Sequence, residues 1–406
     1  MSILFEPSLI GRMTLKNRIV KSAFMENMAT PDGQPTEDTL RYYERLARGG
    51  VGLIITGMAY VNRVGKGQPL QHGAHADAMI PAWRRITDSV HQLGGKIAMQ
   101  LVHCGRQANP KALSGQQAVA PSAMPNPYYL TQSRAMTGDE IVRTIKDFGD
   151  AAARVKEAGF DAVQVHGAHG YLVSSFFSPL TNRRRDEWGG DAERRFRFPS
   201  EVYQSIRRAV GPDFPVLYKM NANDFIWNGL TPRESFPAAH RLAELGVDAL
   251  ELSGGIFETF LHTSRGGLPA DLIALDHSPI VRQCLVAVFR LQKMFIPFKE
   301  AYFHPYAAKL KPTLKIPLIL VGGIRTLETA ERILKIGAAD FISMARPLVR
   351  EPDLPNKWLS GRRVAAQCSS CNRCAGEEDR GNKAKCYAMA KSKQRTSGNG
   401  IHSVKK

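Results

Sequence analysis

Eight repeats of a short apolar run followed by an amphipathic stretch predict an α/β protein, a (β/α)8 TIM barrel with a short cysteine-containing C-terminal extension. The runs are almost continuously apolar, as expected of parallel strands buried on both faces. Glycine stops recur where helix gives way to strand, in Glu157-Ala-Gly-Phe-Asp161, Glu244-Leu-Gly-Val-Asp248 and Lys335-Ile-Gly-Ala-Ala-Asp340. Polar side chains gather just after the runs, at the strand ends where such barrels hold their sites. A doubly wound sheet is the competing architecture. It needs a different strand count and a Gly-x-Gly-x-x-Gly turn after the first strand, which this sequence lacks.

The first strand is predicted at residues 18–23 with its helix at 37–48, and the second pair at 51–56 and 78–93. Next come 96–101 with 139–158, 161–166 with 192–209, and 216–220 with 232–245. The last three pairs are 248–253 with 298–310, 317–322 with 327–336, and 340–345 with 353–359. Between the sixth strand and its helix, residues 268–300 form a long excursion whose apolar part, 280–298, reads as a lid or as an insertion. Residues 1–360 are therefore assigned to the barrel and 361–406 to the extension. Its tail, rich in Lys, Ser, Gly and Asn, is expected to be disordered.

The bulk numbers narrow the field. Hydrophobic content of 43% and charged content of 23% are ordinary for a globular chain. No apolar run reaches 18 residues, so no transmembrane helix is expected. The N-terminus shows no secretory pattern and Val404-Lys405-Lys406 matches no targeting signal, so a cytoplasmic protein is expected. A formal charge of +18 invites a nucleic-acid partner. The basic residues, however, are scattered among acids, as in Arg183-Arg-Arg-Asp-Glu187, and no nucleic-acid motif accompanies them.

The richest stretch for chemistry is His166-Gly-Ala-His169-Gly-Tyr171, at the end of the fourth strand. Imidazoles donate hydrogen bonds to a carbonyl oxygen, and a phenol can deliver a proton. The small residues between them let a ligand approach the backbone. The pattern suits polarising and protonating an enone. A His-x-x-His metal pair needs a third ligand, and none sits at a convincing spacing; a structural polar cluster is the remaining alternative. After the seventh and eighth strands come Gly322-Gly323-Ile-Arg325 and Ser343-Met-Ala345-Arg346-Pro. A tight turn with a surface arginine explains either segment alone, but both together point to a phosphate.

With these residues assembled, the chain resembles the old yellow enzyme family of FMN-dependent oxidoreductases over nearly all of residues 3–360. The matching segments are Leu4-Phe-Glu-Pro7, Leu15-Lys-Asn-Arg-Ile-Val20, Gln100-Leu-Val-His103-Cys-Gly-Arg106, the His166–Tyr171 stretch, Asp186-Glu-Trp-Gly-Gly190 and Arg194-Arg-Phe196. The variant histidine motif and the C-terminal cysteines are similar to the branch holding enoate and 2,4-dienoyl-CoA reductases and trimethylamine dehydrogenase. The resemblance implies that Ser22, Ala23, Phe24 and Met25, with Met58, line the flavin ring. It implies that Gln100 bonds the pyrimidine edge, Lys219 sits beside N1, and Gly322, Gly323, Ala345 and Arg346 hold the phosphate. His166 and His169 then grip the substrate carbonyl, Tyr171 gives the proton, and Asn27 contacts the substrate. Met25 stands where relatives carry Cys or Thr, Asn27 replaces a tyrosine, Gln107 a lysine and Lys219 an arginine. A shifted flavin potential and a different substrate shape follow from these departures.

Four of the six cysteines crowd together as Cys368-x2-Cys371-x2-Cys374-x11-Cys386, the ligand number for one [4Fe–4S] cluster. Zinc on four thiolates and an empty motif are the alternatives. The expected reaction is hydride transfer from NAD(P)H, through FMN, to an activated C=C of an α,β-unsaturated carbonyl or enoyl compound. Oxidation of an amine or a saturated carbonyl compound is the runner-up. Behind these stand a flavin-independent lyase and a non-enzymatic binding role. Assembly as a homo-oligomer is compatible with the sequence but not read from it.

Overall fold

The computed structural model describes residues 2–272, 275 and 277–388. Eight parallel strands close into a barrel. They are β1 (Ile19–Lys21), β2 (Leu53–Tyr60), β3 (Ile97–Val102), β4 (Ala162–Gly167), β5 (Val216–Asn221), β6 (Ala249–Ser253), β7 (Leu318–Val321) and β8 (Phe341–Met344), each paired with the next and β8 with β1. Every predicted run becomes a strand, with ends within a few residues of the expectation. The helices Glu37–Arg48, Ile80–Gln92, Gly138–Glu157, Ala192–Val210, Pro232–Glu244, Leu327–Lys335 and Leu354–Leu359 likewise fall where periodicity places them. Thr137 and Glu140 form a reciprocal cap that fixes the start of the third.

One helix needs correction. The helix predicted at 298–310 begins only at His304, because Pro305 suits a first helical turn and Ala301 takes a left-handed φ of 50°. The six residues before it instead carry Tyr302 and Phe303, whose rings pack against Gly322 and Gly323. The excursion holds a helix, Pro279–Phe295, with Ile280, Met294 and Phe295 exposed. No described helix is long and apolar enough to cross a membrane.

A hairpin of Ser8–Ile10 and Met13–Leu15 closes the barrel's N-terminal mouth. Its Ile10, Met13 and Leu15 join the inward residues Val20, Leu53, Ala98, Ala162, Leu217, Ala249, Ile319 and Phe341 in one buried cluster. The interior at that end is packed, not a channel. The inward positions change character toward the other end. Strand register sets Gln100 beside Gln164, His166 beside Lys219, and Lys219 beside Glu251.

The chain then returns across this polar rim. The Ala366 N–H donates to the Arg325 carbonyl (2.7 Å), the Gly267 N–H to Ser370 (2.7 Å), and the Ala384 N–H to Glu26 (2.8 Å). A helix, Arg373–Asp379, lies within this return. The disorder expected of the tail falls on residues 389–406, outside the described residues.

Candidate active site

β4 delivers His166 to the rim, and the turn after it folds back sharply. His169 sits at φ 60° and Gly170 at φ 78°, a conformation that ordinarily costs a β-carbon-bearing residue. The surroundings enforce it. The His169 N–H donates to Asn221 Oδ1 (3.2 Å), its carbonyl accepts from Gln107 Nε2 (2.9 Å), and its Nε2 lies 2.7 Å from Ser253 Oγ. The His166 and His169 rings cross at 82° with centroids 5.1 Å apart, and Tyr171 stands 4.7 Å from His166.

Both imidazoles are neutral. Burial, with His169 and Lys219 alongside, holds His166 well below its ordinary range, and burial with Lys219 lowers His169 to about 3. The Ala168 N–H donates to His166 Nδ1 (3.3 Å), which leaves Nε2 as the ring's N–H donor. The Tyr171 phenol is pushed well above 10 by burial first, then by Cys104, Glu378 and Asp379. It therefore stays protonated, and no described protein group engages its hydroxyl.

Beneath the histidines lies a chain of buried polar contacts. Gln100 Nε2 donates to Gln164 Oε1 (2.7 Å), and Gln164 Nε2 to Glu251 Oε2 (3.0 Å). Ser22 and Ser343 hydroxyls donate to Glu251 Oε1 at 2.6 and 3.0 Å. Lys219 Nζ reaches Ser22 Oγ at 2.9 Å and the Glu251 carboxylate at 3.3 Å. Burial alone would raise Glu251, but Lys219 and these donors hold it below the usual carboxylate range. Glu251 and Gln164 play no part in the sequence expectations. A lone acid in the run Ala-Leu-Glu-Leu-Ser was the available signal.

Two cavities share His169 and Thr263. One, of about 120 Å³, brings together Ser22, Ala23, Phe24, Lys219, Gly322, Gly323, Ala345 and Arg346 from four strand ends, with Arg325 also in its lining. Arg325 Nε is buried without a partner, and the Gly322 and Gly323 backbone has positive φ. The other, of about 200 Å³, carries Met58, Cys104, Gln107 and Tyr171 and is walled by the extension through Asn372, Glu378 and Asp379. Gln100, Met25 and His166 are buried and line neither cavity. Asn27 does not reach either cavity: it is fully buried, and its Nδ2 donates to the Glu378 (2.7 Å) and Asn382 (3.4 Å) carbonyls. Arg346 is also engaged, by Asn372 and the Arg265 carbonyl.

Cys368, Cys371, Cys374 and Cys386 all line one small cavity with Arg346 and Arg350. Arg350 Nη1 lies 3.2 Å from Cys386 Sγ, and burial pushes the Cys374 thiol up to about 12. Among the described residues, no group of three or more His, Cys, Asp or Glu side chains is arranged to hold a metal ion as it stands.

A closed parallel barrel with its polar residues and both cavities at the C-terminal rim is the architecture of a barrel enzyme whose site lies at that rim. The NADH:flavin oxidoreductase / NADH oxidase family model matches residues 3–260, and the chain belongs to that family. It is 38% identical to an NADH oxidase of Thermoanaerobacter brockii over 91% of this chain and 52% of that protein. It is 34% identical to an NADPH dehydrogenase of a Geobacillus strain, over 87% and 93%. An old yellow enzyme homologue from Zymomonas mobilis superposes with a TM-score of 0.72 at 30% identity, covering 91% of this chain and 96% of its own. The chain spans about half the length of the first two curated relatives, whose matched shares are 52% and 51%. The resemblance to old yellow enzymes and the barrel prediction are both borne out, and FMN with NAD(P)H comes with the family.

Proposed function

We propose that this chain reduces the activated C=C bond of an α,β-unsaturated carbonyl compound at the expense of NADH or NADPH. The carrying observation is an unengaged, protonated Tyr171 and a neutral His169 lining a cavity that adjoins the cofactor cleft, with the neutral His166 ring packed against both. The cleft residues fit FMN. Lys219 would give a cation to the ring, and Gly322, Gly323, Arg325 and Arg346 would offer donors to the phosphate. FMN, held there, would supply the hydride chemistry between NAD(P)H and the β-carbon.

The protein's own contribution is to bind, orient and protonate. His166 Nε2–H and the His169 ring take the carbonyl oxygen, drawing electron density from the β-carbon. Tyr171 gives its proton to the α-carbon and regains one from solvent. The two electrons that leave NAD(P)H end in the new C–H bond at the β-carbon. Neutral imidazoles suit this task, since a charged pair would repel across 5.1 Å.

The test is an anaerobic two-step experiment on FMN-loaded protein. NAD(P)H should bleach the flavin absorbance, and cyclohexenone should restore it. Bleaching without recovery on any enone would overturn the proposal. The four thiols line one small cavity and match the ligand number of a [4Fe–4S] cluster, with zinc on the same donors as the alternative. Anaerobic protein should then hold about four irons per chain, lost in Cys371→Ala with FMN retained. Zinc or no metal would overturn that assignment.

A further inference from the structure

The excursion after β6 concentrates apolar side chains on the surface. Of the fourteen large ones exposed among the described residues, five belong to its helix, Pro279–Phe295: Ile280, Val288, Leu291, Met294 and Phe295. Single exposed apolar side chains are ordinary, whereas a patch of them marks a contact.

Their spacing makes one continuous face. Ile280, Cys284, Ala287, Leu291 and Met294 recur every three or four residues, and all are exposed. The opposite side holds the helix to the barrel. Val286 is buried, Phe289 lines the larger cavity, and Gln292 Nε2 donates to the Glu258 carbonyl (3.3 Å). A helix apolar on both sides is normally covered on both. Here the described residues cover one.

Charge narrows what covers the other. The helix carries Arg282, Arg290 and Lys293 and no acid. Arg290 borders the stripe, Lys293 stands exposed a turn further on, and neither meets an acid among the described residues. A second copy would set these cations against their own kind, with no acid on either helix to offset them. A groove on another protein would need a rim of hydrogen-bonding partners, and beside the stripe stand mainly cations. An anionic lipid surface needs only apolar side chains to enter its acyl boundary and cations for its headgroups. The formal charge of +18 adds attraction before contact. With 17 residues, about 26 Å of length and cations within its span, the helix suits lying along such a surface and not crossing it.

We infer that the helix Pro279–Phe295 docks this protein on an anionic lipid bilayer. The apolar stripe enters below the headgroups, and Arg290 and Lys293 pair with their phosphates and carboxylates. The docking does not depend on the reaction assigned to the barrel. Because Phe289, on the inner side of the same helix, walls the larger cavity, docking sets that cavity beside the lipid.

FMN-loaded protein should sediment with vesicles of equal parts phosphatidylcholine and phosphatidylserine, and stay in solution with phosphatidylcholine alone. Salt at about 1 M, where the screening length is about 3 Å, should release it. Leu291→Asp combined with Met294→Asp should weaken binding by on the order of a hundredfold. Arg290→Glu combined with Lys293→Glu should weaken it by on the order of tenfold or more. Arg41→Glu combined with Arg208→Glu makes the same charge change on two other helices and should bind like the parent. All six positions are exposed, so every variant should keep its flavin absorbance and melting temperature. Equal binding to both vesicle types, binding to neither, or equal losses in the helix and control variants would overturn the inference. A doubled mass in light scattering, abolished by the two aspartates and unaccompanied by vesicle binding, would give the stripe to a second copy and overturn it as well.

Discussion

Glu251, fully buried at the end of β6, and Glu378, half-buried on the extension's helix, are two acids at the same barrel rim, and they keep opposite company. Glu251 receives two serine hydroxyls, a glutamine amide and the Lys219 ammonium. It is held below the usual carboxylate range although burial pulls the other way. Among the described residues Glu378's charged neighbours are acids, and burial with Asp379 and Glu26 drives it well above that range. The paired acid is a finished part of the barrel. The unpaired one faces a cavity. The same residue type is thus held charged in one place and pushed toward its neutral form in the other, with neighbours rather than burial deciding which.

The largest expected effect lies at Tyr171, which feels the unpaired side of this contrast through Glu378 and Asp379. Tyr171→Phe removes the proton donor and leaves the hydride path, so flavin reduction by NAD(P)H should be nearly unchanged. Reoxidation by enone should slow by about 10²–10⁴-fold. Stopped-flow traces of the two half-reactions measure this, and equal slowing of both would show that the phenol shapes the site instead of protonating substrate.

Neutralising the two acids should then give unequal results in unfolding. Glu251→Gln leaves Lys219 buried without its counter-charge and should cost about 3–5 kcal/mol. It should also raise the midpoint potential of bound FMN, because the uncompensated ammonium favours the reduced, more negative cofactor. Glu378→Gln breaks no ion pair and should leave stability unchanged or slightly higher. Denaturant midpoints with an unchanged slope decide the comparison. Two variants equal in stability would erase it.

These contrasts also show what the sequence could and could not reveal. Apolar runs and glycine stops located all eight strands, because a parallel strand buried on both faces leaves a compositional trace. Strand-end residues such as His166, Lys219 and Arg346 were legible for the same reason: barrel topology sends them to one rim. Glu251 was hidden because inward and outward positions cannot be separated within one short run. Glu378 and Asp379 were hidden more deeply. They sit over a hundred residues from any strand they oppose at the β6 end, and only the folded-back extension brings them to Tyr128 and Tyr129. Asn27 was read as a substrate contact from its place after β1, but packing turned it toward the extension's backbone.

A pH titration sharpens the unpaired side alone. The raised Glu378 carboxyl is neutral at low pH and charged above its shifted pKa. Its folded pKa lies above its unfolded one, so its contribution to folding stability should be fully present below the ordinary carboxylate pKa and be lost as pH rises through the shifted one, by up to about 1.4 kcal/mol per unit. The groups facing it are Asp379, Glu26, Tyr171 and Cys104. Burial pushes Cys104 up to about 12 and Tyr171 well above 10, so neither ionises near neutrality. The slope should vanish in Glu378→Gln. A slope that survives there assigns the titration to another group.

The smallest effect concerns what holds Glu378 in place. Asn27 adopts φ 48°, which asparagine tolerates better than most residues, and aims its amide at the Glu378 carbonyl. Asn27→Ala removes that donor, leaves a carbonyl unsatisfied and puts alanine in a left-handed conformation, together worth about 1–2 kcal/mol. The loss should be local, because β1 and the barrel core do not depend on that amide. Hydrogen exchange should quicken over residues 373–384 with strand amides still protected. Unchanged exchange in the extension would mean that its other rim contacts, such as Ala384 to Glu26, suffice to hold the acid in the cavity wall.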